Sequence, residues 1–140
     1  MSWFSRILHP AEPSPRANDP PPPSEGPQRR RFAPESLTSL NLARFLKEHP
    51  RVVVDVWAPW CGPCRAFAPT FTAAAHEWGG RIGFGKIHAD HEPSLVARFG
   101  VRSIPSLLFF RDGKLVRTEV GVLSSERFDR QLRKVFRDVS

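Results

Sequence analysis

Cys61-Gly62-Pro63-Cys64 contains the only two cysteines of this 140-residue chain, so they have to be explained as a pair. The thiolate is the reactive form of cysteine. A sulfur at a helix N-terminus meets unsatisfied backbone N–H groups and the positive end of the helix dipole, and both favour that form. The residues before the pair are a Val-rich run and those after it have helical character, which places Cys61 where a strand hands over to a helix. Its thiol is expected to ionise below the free value of ~8.5, while Cys64, one turn into the helix, stays protonated until needed. With two residues between them the sulfurs can close into one small ring. Cys61 can then attack a disulfide, and Cys64 can resolve the mixed disulfide that results. A metal half-site would lack two further ligands. His88 and His91, the only close histidine pair, have no cysteine near them, so no metal is expected and both rings are read as solvated or capping.

The elements that must hold this pair can be read from residue 35 onward. A short strand is expected at 35–37, and Thr38 or Ser39 then caps a helix to about Glu48 with Leu40, Ala43 and Leu46 along one side. Residues 51–57, with Val52, Val53, Val54 and Val56, read as a central strand buried on both faces and interrupted by Asp55. After the 59–63 turn a helix runs to about Trp78, kinked by Pro69 and ended by Gly79-Gly80. A strand follows at 82–88, then a short helix at 93–99 with Gly100 just beyond its end. Strands at 106–110 and 115–120 flank Asp112-Gly113, the strongest hairpin signal in the chain. Ser124 or Ser125 opens a last helix whose inward side carries Phe128, Leu132, Val135 and Phe136. The order β-α-β-α-β-α-β-β-α predicts an α/β fold, a mixed central sheet with helices on both faces.

Composition sets the limits on this reading. Residues 10–34 hold nine of the fifteen prolines, with Pro20-Pro21-Pro22-Pro23 and Arg29-Arg30-Arg31, and cannot bury enough apolar surface to offset ordering entropy. Residues 1–34 are therefore expected to be a disordered Pro-rich tail, and 35–140 the folded domain. At the start of that tail Trp3, Phe4, Ile7 and Leu8 share one helical face, too short to hold a helix alone. The net charge of +7 is spread along the chain among acids, which does not single out nucleic acid as a partner. Residues 1–10 lack the 7 to 15 apolar residues of a secretory h-region, and no later stretch approaches the ~20 of a membrane span. A soluble, cytoplasmic monomer without stable membrane insertion is expected, in a compartment where a structural bridge is disfavoured.

In the context Trp57-Ala58-Pro59-Trp60-Cys61-Gly62-Pro63-Cys64-Arg65, after a Val-rich strand, the sequence resembles the thioredoxin family over roughly residues 35–140. The resemblance implies the thioredoxin fold and protein-disulfide reductase activity through Cys61 and Cys64. Asp55 resembles the buried aspartate that the family places behind the resolving cysteine, where burial raises its pKa and lets it exchange a proton with Cys64. Lys86, in Lys86-Ile87-His88-Ala89-Asp90, matches the lysine that tunes that aspartate. Ile104-Pro105 resembles the cis-proline loop facing the dithiol, with the Ile104 backbone open to an extended substrate strand. Trp60 and Gly121 complete the implied substrate rim, one as an apolar face and the other as a point of close approach, whereas Trp57 is read as packing.

Arg65-Ala66-Phe67-Ala68-Pro69 and the 97–105 segment look most like the bacterial thioredoxin-2 branch, but a cysteine-free tail stands where that branch has an N-terminal zinc module. Zinc binding is accordingly not carried over. The implied partners are disulfide-containing proteins and an NADPH-dependent flavoprotein of the thioredoxin-reductase type, with no cofactor bound to this chain. A binding module in which the dithiol is incidental is the rival reading, and retention of the whole set of motif residues argues against it.

Overall fold

The computed structural model describes residues 32–138. Most of the Pro-rich segment, with Trp3, Phe4, Ile7 and Leu8, lies outside the described residues. The domain is organised around β2 (Arg51–Trp57), whose residues 52–56 are all buried. Four β-branched side chains favour the extended backbone there and leave no solvent-facing side to the strand. β3 (Gly83–His88) pairs with it in parallel, and β4 (Ser106–Arg111) pairs antiparallel on the other edge. The two-residue β1 (Glu35–Ser36) and β5 (Lys114–Val120) complete a five-stranded mixed sheet in the order β1-β3-β2-β4-β5.

Alternation along the strands divides the core in two. Val52, Val54 and Val56 of β2 and Leu108 and Phe110 of β4 pack with Leu42 and Phe45 of α1 (Leu42–Glu48) and Leu95 of α3 (Pro93–Arg98). Val53, Leu107 and Phe109 face the other way, onto Phe67, Phe71 and Trp78 of α2 (Gly62–Trp78) and Phe128 and Leu132 of α4 (Ser125–Val135). Asp55 has the parity of Val53, which turns it to the face that α2 covers.

The expected element order is the observed one, with a correction at α1. The helix begins at Leu42, and its N-cap position is Asn41 instead of Thr38 or Ser39. Asn41 accepts the Thr38 N–H at 2.8 Å and donates to the Ser36 carbonyl at 2.9 Å, closing a turn where a first helical turn was expected. This shifts the buried face to Leu42 and Phe45, and Leu40, expected to point inward, is 94% exposed. Ala43 is exposed as well, while Leu46 packs against the core. Elsewhere the punctuation falls where the sequence put it. Gly80 (φ 84°) follows the end of α2, and Gly100 (φ 66°) follows α3. Asp112 (φ 51°) and Gly113 (φ 80°) form the two-residue turn between β4 and β5. Ser124 caps α4 by accepting the Arg127 N–H at 3.2 Å. Pro69 leaves the Arg65 carbonyl without its intrahelical donor, yet α2 runs unbroken to Trp78.

Both edges of the sheet are short or irregular. β1 is two residues long, and β5 carries a register shift opposite Phe109/Phe110 together with an Arg117–Glu119 ion pair. At the pole away from Cys61, Asp138 bridges Arg51 (2.8 Å) and Arg111 (3.0 Å), fastening the end of α4 to β2 and β4.

A glycine is required where β1 meets β3. A Cβ at Gly85 would stand 2.8 Å from Leu37 Cγ and closer still to Cδ1, with Leu37 itself 1% exposed and its N–H bonded to the Lys86 carbonyl at 2.7 Å. Gly85→Ala should therefore displace Leu37 and cost about 1–3 kcal/mol in denaturant unfolding. An unchanged midpoint would show that the β1 end yields freely.

Candidate active site

The loop after β2 brings the chain into α2 with Cys61 at the N-cap position (φ −85°, ψ 109°). The Cys64 N–H donates to Cys61 Sγ at 3.2 Å, so the sulfur occupies the place of an N-cap oxygen. Pro63, inside the first turn, has no N–H to compete for it. Cys61 and Cys64 form a disulfide, with Cα atoms 5.2 Å apart, and are 5% and 2% exposed respectively. With Ala58 they form a small apolar cluster against which Trp57 and Ile104 pack. The oxidised pair is thus closed off from water except along the Cys61 side.

Facing Cys61 is the 101–105 loop. Its Ile104–Pro105 bond is cis, and the Ile104 carbonyl oxygen lies 3.9 Å from Cys61 Sγ. The Gly121 N–H donates to the Pro105 carbonyl at 2.8 Å, and at φ 98° a Cβ on Gly121 would meet nothing within 4 Å. Ser106 Oγ holds the same loop through the Ser103 carbonyl at 2.6 Å. Trp60, the residue before Cys61, stands 67% exposed, with Nε1–H donating to Asp90 Oδ2 at 2.8 Å.

Asp55 and Lys86 are register partners on β2 and β3. Asp55 is fully buried, and neither carboxylate oxygen has a hydrogen-bond partner among the described residues. Burial pushes its pKa up to about 6, and the positive charge of Lys86 opposes that rise. Lys86 Nζ in turn sits 4.7 Å above the Trp57 ring, which makes Trp57 a half-buried packing element as expected. Sequence reasoning overlooked two features here. Asp90 holds Trp60, and its signal was its place two residues past the end of a strand that points at the dithiol. His88 and His91 stack on one another, which no local pattern announces. No group of three or more His, Cys, Asp or Glu side chains able to hold a metal occurs among the described residues.

A mixed sheet of this order, with a dithiol at the N-terminus of the helix after its central strand and a cis-proline across from the first sulfur, defines the class of thiol–disulfide oxidoreductases. The thioredoxin family model matches residues 34–134. Among similar proteins, a thioredoxin of Porphyra purpurea is 42% identical over 83 residues, covering 59% of this chain and 78% of that protein. Thioredoxin 1 of Synechococcus elongatus is 44% identical over 72 residues, covering 51% and 67%. Two solved structures, each 25% identical, share the fold. A mutant thioredoxin from Halobacterium salinarum has a TM-score of 0.70 over 75% of this chain and 92% of its own. A thioredoxin of Malassezia sympodialis has 0.68 over 74% and 91%. The chain belongs to the thioredoxin family, and its activity is thiol–disulfide exchange at a redox-active disulfide.

The buried carboxyl gives a pH signature. Below the ordinary carboxylate pKa of 3.8 Asp55 is protonated whether the chain is folded or not, and it contributes nothing. Between 3.8 and about 6 the folded state keeps the proton that the unfolded state has lost, so stability falls as pH rises, and above that the cost is constant. Asp55→Asn should raise the unfolding free energy of the oxidised protein at pH 7.5 by about 1–3 kcal/mol and by almost nothing at pH 4. Guanidinium unfolding at the two pH values checks this, and an equal gain at both would remove titration as the cause.

Proposed function

We propose that this protein is a protein-disulfide reductase in which Cys61 is the nucleophile and Cys64 the resolving thiol. The observation that carries the reading is Cys61 Sγ in the N-cap position, accepting the Cys64 N–H and facing the Ile104 carbonyl. In the reduced enzyme the Cys61 thiolate attacks one sulfur of a substrate disulfide, forming a mixed disulfide and expelling the other sulfur as a thiolate. Cys64 then loses its proton and attacks Cys61 Sγ. The second substrate thiolate leaves, and the Cys61–Cys64 disulfide seen in the structure is the product. Two electrons pass to the substrate, whose two thiolates take up protons.

Asp55 is the acceptor of the Cys64 proton in this reading, supported by its position on the face of β2 under α2, its burial and its raised pKa. Lys86 keeps that pKa from rising further. Ile104 and Pro105 present backbone to an extended substrate segment, while Trp60 and Gly121 flank it. The direction, reduction, rests on Gly62-Pro63 between the cysteines and on the buried acid, which resemble the reducing members. It fits a cytoplasmic protein of the thioredoxin-2 branch that is recharged by an NADPH-dependent flavoprotein reductase. The catalytic domain is residues 35–140 and acts as a monomer. No helix among the described residues is long and apolar enough to cross a membrane.

The roles of the cysteines separate by mutation. Iodoacetamide should alkylate Cys61 of the reduced protein selectively, with a rate that titrates below ~8.5. Cys61→Ser should abolish insulin-disulfide reduction, and Cys64→Ser should accumulate a mixed disulfide that mass spectrometry detects. Faster alkylation of Cys64, or turnover by Cys61→Ser, would reverse the assignment.

A further inference from the structure

Three segments meet at the dithiol. They are 58–66 with the two cysteines, the 101–106 loop across from Cys61, and 120–122, which the Gly121 N–H fastens to that loop through the Pro105 carbonyl. Arg65 and Arg102 are the only charged residues in all three. Arg65 directly follows Cys64 in the first turn of α2, its backbone N–H bonded to the Cys61 carbonyl at 3.2 Å. Arg102 lies two residues before Ile104, whose carbonyl faces Cys61 Sγ. Both arginines are exposed, and neither guanidinium makes a hydrogen bond or an ion pair among the described residues. Val120 and Val122, 62% and 48% exposed, carry the rim outward from Gly121 without charge.

The acids around this rim are committed elsewhere. Asp90 reaches it through Trp60, whose indole N–H its Oδ2 accepts at 2.8 Å. Glu92 Oε1 accepts the Ser39 N–H at 2.7 Å, Glu119 is paired with Arg117, and Asp55 is buried. Glu126, in the first turn of α4, has Arg127 beside it. The mouth of the site is therefore apolar with a net positive charge. That matters for thiol–disulfide exchange, because the attacking group is an anion and the departing group becomes one. An acid next to a client disulfide repels the incoming thiolate and raises the pKa of the sulfur that must leave, and both effects slow the reaction. A guanidinium beside the reacting sulfurs offsets both, and it stays charged at every pH at which cysteine ionises. A client with lysines in the same places is repelled by the rim.

We propose that Arg65 and Arg102 are specificity-determining residues that select client disulfides flanked by acidic side chains. The inference rests on the reductase reading above and deepens it by naming the chemistry of the client. The Cys61 thiolate forms its bond to one client sulfur as the client S–S bond breaks, and the electron pair leaves on the other client sulfur. The two guanidinium groups exchange no proton and form no bond in this step. They act on the approach of the acidic segment and on the charge that builds on the departing sulfur.

The test uses the full chain in its reduced form and three disulfide-closed peptides of equal length, in which the residues flanking each cysteine are Glu, Gln or Lys. Rate constants for a single turnover are divided by those of dithiothreitol with the same peptide, which removes the intrinsic reactivity of each disulfide. The ratio should be about tenfold or more higher for the Glu peptide than for the Lys peptide at low salt, and the two should converge at about 0.5 M salt. Arg65→Gln/Arg102→Gln should lose most of the preference while its rate with the Gln peptide stays within about twofold, and Arg65→Lys/Arg102→Lys should keep the preference. Equal ratios for the three peptides, or a loss in the Gln variant that is the same for all three, overturn the inference. Failure of the unaltered protein to reduce any of the peptides counts against the reductase reading instead. The charge preference is then decided by titrating ¹⁵N-labelled Cys61→Ser/Cys64→Ser protein with the same peptides carrying Ser for Cys, where equal affinities for the Glu and Lys peptides overturn it and tighter binding of the Glu peptide supports it.

Discussion

The whole active site depends on β2 being immobilised on both edges and both faces. Its backbone is paired with β3 and β4, and its side chains are enclosed between two layers of helix, so the Ala58–Cys61 turn leaves it from a fixed point. Sulfur reactivity at a helix N-terminus requires that the N–H groups and the sulfur hold a constant relation. A frayed strand would spread that relation over many geometries. The aromatic layer of Phe67, Phe71 and Phe128 anchors α2 from its other side, with Phe71 and Phe128 stacked at 5.9 Å. The dithiol therefore sits at the junction of two rigid bodies.

The same enclosure explains why β2 carries a carboxyl at its centre. An aliphatic residue at position 55 would pack better, and the strand accepts an unpartnered acid on the face that α2 covers. The nearest compensating charge, Lys86, is half-buried and also lies over Trp57. That arrangement leaves Asp55 able to hold or release a proton near neutrality, a property that an acid in a close ion pair lacks. In the reading proposed above, stability is given up where proton transfer is needed.

Most of this was legible in the sequence because the signals are local. The β-branched run gave the central strand, Asp112-Gly113 the hairpin, and Gly79-Gly80 and Gly100 the helix ends. The dithiol stood out as the chain's one pair of cysteines, and Ile104-Pro105 through its resemblance to the family's cis-proline loop. The start of α1 did not, because Thr38, Ser39 and Asn41 are all competent caps, and the choice fell to hydrogen bonds that Asn41 makes with Ser36 and Thr38. Nor did the stacking of His88 on His91 or the reach of Asp90 to Trp60. Both depend on how a five-residue turn folds over β2, a long-range arrangement with no periodic trace.

The edges of the sheet bear on a hazard of this trade. A protein that offers backbone groups to extended segments of other chains works beside partly unfolded polypeptide, and an open sheet edge would template it into a growing β-stack. Here one outer strand is too brief to pair along any length. The other is kinked by its register shift and bears Lys114, Arg117 and Glu119. In the reading proposed above, client chains are engaged at the 104–105 loop, one short stretch at a time, away from both sheet edges. The same five strands that hold the sulfurs in place thus offer a client little regular edge to extend, and the exposed Leu115, Val116 and Val120 of β5 are interrupted by Arg117 and Glu119.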